Sequence, residues 1–89
     1  MDKEQLIKDY ELLLSSNTRI LPYTGEESER KLRKRCRFIE KNNDKELKGR
    51  YNIYCRTAPQ PISYVDWLGC LDDRIIISHC ISLMEANNP

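Results

Sequence analysis

Residues 30–37 read Arg-Lys-Leu-Arg-Lys-Arg-Cys-Arg, so six of eight positions are cationic in a chain whose formal net charge is only +1. Guanidinium and ammonium groups gathered in this way have one principal chemistry, the capture of anions by charge and charge-assisted hydrogen bonds. At about 100° per helical residue, Arg30, Arg33, Lys34, Arg37, Lys41 and Lys48 fall in a single stripe about 100° wide. Leu32, Cys36, Ile39 and Leu47 take the opposite side, Phe38 borders the stripe, and Tyr51 and Tyr54 follow it. Six like charges on one face repel, with only Asp44 at the edge to relieve them. That cost argues for a partner outside the helix.

Two kinds of partner fit. An acidic protein surface would dock with electrostatically accelerated association. A nucleic acid would release condensed counterions as its phosphates were neutralised, with tyrosines to stack on unpaired bases. The sequence pI of about 7.6 lies below the value above ~9 usual for a dedicated nucleic-acid-binding domain. The expected function is therefore a small, non-enzymatic binding protein acting through protein–protein contact, as an inhibitor or adaptor of a larger machine. A nucleic-acid-binding regulator using the same basic helix is the alternative.

Catalytic patterns are sparse. His79 is the only histidine, and Cys80 beside it is poorly placed to be its nucleophile, because an activating base must oppose the nucleophile in space. Only Gly25, Gly49 and Gly69 are present, with no glycine-rich phosphate loop. Asp72-Asp73 reads as a helix start rather than an acid–base pair. Cys36, Cys55, Cys70 and Cys80 are 19, 15 and 10 positions apart, without the close Cys-x2–4-Cys pair of a structural zinc site. No enzyme activity, metal or cofactor is expected, and the thiols read as small apolar groups.

The charges are segregated along the chain. Residues 30–56 carry eleven Lys and Arg against three acids, a net of +8, whereas residues 1–29 carry a net of −4 and residues 57–89 a net of −3. Acidic flanks folding over the basic centre would neutralise it, and are the bland alternative to an external partner. The charged start Met1-Asp2-Lys3-Glu4 offers no signal-peptide stretch, and no run approaches the ~18 apolar residues of a membrane span. A cytoplasmic protein without membrane association is expected.

These residues need elements to position them. Eighty-nine residues make one domain over 1–89. Leu6, Ile7, Tyr10, Leu13 and Leu14 follow helical spacing over Asp2–Ser15. Thr24 with Glu27 has the form of a capping box, opening a helix that reaches Lys48 with Gly49 as its C-terminal cap, unless Asn42-Asn43-Asp44 splits it. Arg50–Arg56 alternates as a strand would, with Arg19–Tyr23 or Arg74–Ile81 as its partner. Pro59 and Pro61 mark a linker. Ser63 caps a helix over Tyr64–Leu71, with Asp66 as its capping-box acid, and Arg74–Asn87 ends the chain as a helix. The expected fold is mostly α, a bundle of about four helices with room for one short strand pair, and α+β as the alternative. Tyr51, Tyr54, Tyr64 and Trp67 are expected to serve the core before any interface.

Overall fold

The computed structural model describes residues 1–87, so Asn88 and Pro89 of the expected domain span lie outside the described residues. Five helices follow one another: α1 (Lys3–Ser15), α2 (Gly25–Lys41), α3 (Lys45–Thr57), α4 (Tyr64–Gly69) and α5 (Asp73–Asn87). No strand occurs among the described residues.

Local chemistry explains most boundaries. The Asp2 carboxylate accepts the Glu4 N–H at 3.0 Å and opens α1, satisfying a donor that no helical carbonyl can reach. Ser63 does the same for α4, its hydroxyl accepting the Asp66 N–H at 3.2 Å. Thr24 holds the N-cap position of α2 but its side chain makes no capping bond, so the expected box with Glu27 is not formed. The helix instead starts with two acids, Glu26 and Glu27, at the positive end of its dipole.

Asn42-Asn43-Asp44 is the break. Asn42 Nδ2 donates back to the Phe38 carbonyl at 2.8 Å, and Asn43 takes a left-handed φ of 55°, a conformation asparagine tolerates better than most residues. Asp44 then caps α3, its Oδ1 accepting the N–H groups of Glu46 at 3.0 Å and Leu47 at 3.3 Å. A helix from Gly25 to Lys48 is thereby ruled out, and Gly49 lies inside α3 rather than at a terminus. The expected strand over Arg50–Arg56 is also overturned. Leu47, Tyr51 and Tyr54 fall at i, i+4 and i+7, one face of α3, and neither segment proposed as a β partner is extended. Without a partner strand, the period-two pattern has nothing to pair with.

α5 is the centre of the packing: α1 and α2 lie against it, α4 rests on α2, and α3 meets the rest mainly through α4. One apolar cluster draws on every helix, with Leu6 and Leu13 from α1, Cys36 and Ile39 from α2, Leu47 from α3, Leu68 from α4, and Ile76, Ile77 and Cys80 from α5. The α1–α2 connector adds Leu21 and is pinned to the start of α5. The Asp73 carboxylate accepts the Leu21 N–H at 3.1 Å, while the Asp73 N–H donates to the Arg19 carbonyl at 3.3 Å. The fold is mostly α, as expected, with five helices instead of about four. No described helix is long and apolar enough to cross a membrane.

Candidate functional site

α2 buries Arg35, Cys36 and Ile39, and that choice of inward face fixes which side is left to water. Arg30, Arg33, Lys34, Arg37 and Lys41 all lie on the exposed side, spread over about 16 Å of helix axis at 1.5 Å per residue. Glu26, Glu29, Arg30, Arg33, Lys34 and Arg37 together frame an open groove of about 420 Å3. Five of the six expected stripe residues are therefore assembled on one helix face. Lys48 is not. It belongs to α3, where its ammonium donates to Asn43 Oδ1 at 2.6 Å and sits 5.7 Å from the centre of the Tyr64 ring. The stripe ends where α2 ends.

The molecule's own carboxylates reach only part of this surface. Arg33 Nε lies 3.2 Å from Glu29 Oε1 and its Nη1 lies 4.0 Å from Asp66. Lys31 is 4.0 Å from Glu27 and its ammonium stands 3.8 Å above the centre of the Tyr23 ring. Among the described residues no ion pair is made by Arg30, Lys34, Arg37 or Lys41. The acidic flanks do not fold over the stripe as a whole.

Arg35 is the exception within the basic block. It is 4% exposed and faces Asp9 of α1, itself 3% exposed, in a buried ion pair between Nη2 and Oδ2. Asp9 Oδ1 further accepts the Tyr23 hydroxyl at 2.8 Å and Gln5 Nε2 at 3.1 Å. So one cation of the block serves the fold, not the surface. The signal was present: Arg35 sits between Leu32, Cys36 and Ile39 on the inward side of the wheel, and Asp9 lies between Leu6 and Leu13 on that of α1.

The aromatic residues form a self-packed quartet. Tyr51 and Tyr64 meet edge-on at 5.2 Å, Tyr64 stacks on Trp67 at 6.1 Å, and Tyr54 also stacks on Trp67 at 6.1 Å. The Tyr51 hydroxyl donates to the Ile62 carbonyl at 2.7 Å and the Tyr54 hydroxyl accepts the Ile62 N–H at 3.3 Å. These rings tie α3 to α4 and the proline linker, which agrees with a packing role. Phe38 and Leu32 also pack against the core. Burial, with the negative charges of Asp44 and Glu40, pushes the Tyr64 phenol up to about 12.

The thiols are all free: Cys36 and Cys80 are buried, Cys55 half-buried and Cys70 exposed. Burial is the leading cause that raises Cys36 to about 11 and Cys80 to about 12, with Asp73 adding to the first. Neither is a thiolate at neutral pH. His79, next to Cys80 in sequence, instead pairs its Nδ1 with Asp44 Oδ2 at 2.8 Å. Alkylation of the folded protein at pH 8 is expected to label Cys70 first, and Cys36 and Cys80 only once denaturant is added; mass spectrometry of the tryptic peptides reads the order. Labelling of Cys80 at the rate of Cys70 would contradict this burial.

Comparison with protein families, with curated proteins and with solved structures finds no match.

Proposed function

We propose that this chain is a non-catalytic cytoplasmic binding protein that acts through protein–protein contact, as an inhibitor or adaptor of a larger assembly. Its docking face is the exposed stripe of α2, and its partner presents an acidic surface. The observation that supports this reading is the division of labour within the basic block. Arg35 is buried against Asp9 and Arg33 is braced by Glu29, whereas Arg30, Lys34, Arg37 and Lys41 keep their charge for something outside. Four free thiols suit a reducing compartment.

An acidic protein fits this face better than a nucleic acid does. Glu26 and Glu29 line the same groove as the arginines, and Glu40 and Asp66 are exposed nearby in sequence or space. Such alternation suits an acidic partner that carries some cations of its own better than it suits a uniform polyanion. The tyrosines that would stack on bases are spent on one another. Nucleic acid remains the second reading on one observation, the row of five cations over about 16 Å.

Affinity purification with nuclease treatment separates them. A partner retained after nuclease is expected, and charge reversal at Arg30 and Arg37 should slow its association about tenfold at low salt while leaving dissociation nearly unchanged. If capture disappears with nuclease, and log affinity for DNA or RNA falls with log salt at about −0.9 per phosphate neutralised, the nucleic-acid reading replaces it. If charge reversal leaves association unaltered, the stripe is not the docking face.

A further inference from the structure

A second cleft owes nothing to the α2 stripe. It is a shallow, open depression of about 260 Å3, lined by Tyr10 of α1, Arg50 of α3, and Arg74, Ile75, Ser78 and His79 of α5. Two arginines, a histidine, a tyrosine and a serine from three helices line it, and no acidic residue is in the lining. Its lining is rich in side chains that donate hydrogen bonds to anions.

The state of each cation decides whether it is free to take one. Of the two acids just before Arg74, Asp73 accepts the Leu21 N–H and Asp72 Oδ1 accepts the Arg74 backbone N–H at 2.9 Å. Arg74 Nε lies 3.6 Å from that oxygen, outside hydrogen-bonding distance, and is buried with no hydrogen-bond partner among the described residues. Asp72 is also shared with Arg19, whose Nε lies 3.8 Å from Oδ2. A buried guanidinium N–H left unmatched carries a desolvation cost that an incoming oxyanion would remove. Arg50 is held only by Glu46 at 3.4 Å, in a pair more than half exposed on both sides, the kind of pair that exchanges readily. Asp44 holds His79 by Nδ1, which orients the ring and leaves Nε2 uncommitted. Tyr10 and Ser78 add hydroxyl donors.

We infer that this cleft between α1, α3 and α5 binds a small phosphate monoester, with Arg50 and Arg74 gripping the phosphate and Ser78, His79 and Tyr10 completing its shell. Guanidinium forks match the paired oxygens of a tetrahedral oxyanion. At about 260 Å3 the depression has room for a phosphate and a few further atoms. The site is separate from the proposed docking face and stands or falls independently of it.

Amide NMR of the intact, isotope-labelled chain tests it, titrating with inorganic phosphate and with O-phosphoserine against chloride at equal ionic strength. Saturable shifts are expected at Arg74, Ser78, His79 and Arg50 with both phosphates and not with chloride. Tighter binding of O-phosphoserine would identify the ester as the natural form, and equal binding would identify phosphate itself. Arg74→Gln and Arg50→Gln should each weaken binding about tenfold, while Arg37→Gln on α2 should leave it unchanged. Arg50 is half-exposed and its substitution leaves the core untouched, so this variant decides the matter even where Arg74→Gln perturbs folding. Absence of saturable shifts, equal shifts along the α2 stripe, or full affinity in Arg50→Gln would overturn the assignment.

Discussion

Asp9→Ala is expected to destabilise the protein by about 3–5 kcal/mol, the usual effect of removing one partner from a buried ion pair. For a chain whose total stability should be of order 5–15 kcal/mol, that is a large fraction. The reason is what remains behind. Arg35 is 4% exposed and would keep its charge in an apolar interior, while Tyr23 and Gln5 would lose the carboxylate oxygen that both now share. Its Nη1 already lacks a hydrogen-bond partner among the described residues, so no spare contact compensates. The double variant Asp9→Leu with Arg35→Met should recover most of the loss, because an apolar pair of similar size avoids both desolvation costs. Urea denaturation followed by circular dichroism measures both, read as shifts of midpoint at constant slope. A loss below ~1 kcal/mol for the single variant would mean that water reaches this pair.

The second large effect is expected at Asp44, whose two carboxylate oxygens do different work. Oδ1 caps α3 through Glu46 and Leu47, and Oδ2 fastens α3 to His79 of α5. Losing a cap costs about 0.5–2 kcal/mol, and leaving a part-buried partner unmatched costs about 1–3 kcal/mol. Asp44→Ala should therefore cost about 3 kcal/mol, with Asn restoring part of it by keeping one acceptor oxygen. The damage should be local. α3 buries only Leu47 and meets the rest of the fold mainly through α4, so its amides from Lys45 to Thr57 should exchange with deuterium well before those of α1 and α5. Uniform acceleration across all helices would instead show that α3 unfolds only with the whole molecule.

Asp44 also shows where sequence reading succeeds and where it stops. That Asn42-Asn43-Asp44 opposes a helix follows from the residues alone, because their side chains compete with the backbone for hydrogen bonds. Whether it breaks one is settled by what lies beyond. Here Asn43 adopts φ 55° and Asp44 finds His79, which is 35 positions away. The strand expected at Arg50–Arg56 failed on the same ground. Tyr51, Ile53 and Cys55 satisfy a two-residue period, while Leu47, Tyr51 and Tyr54 satisfy the helical one, and a stretch so short supports both. The aromatic quartet shared by α3 and α4 selects the second, since it needs Tyr51 and Tyr54 on one side of α3 facing Trp67.

α1, the capped start of α4 and the terminal helix depend on neighbours a few residues away, so spacing and caps written in the chain were sufficient to locate them. The cationic face of α2 from Arg30 to Lys41 was fixed in the same manner, because the angular spread of a helix follows from residue number alone. What required the folded molecule was every pairing across long separations: Arg35 turned inward to Asp9, Lys48 carried off the stripe onto α3, and Arg50, Arg74 and His79 drawn around one cleft. Local hydrogen bonds and periodicity act within one or two turns, whereas these meetings depend on which faces the shared core of Leu13, Ile39, Ile76 and Ile77 brings together, and no stretch of sequence taken alone contains that choice.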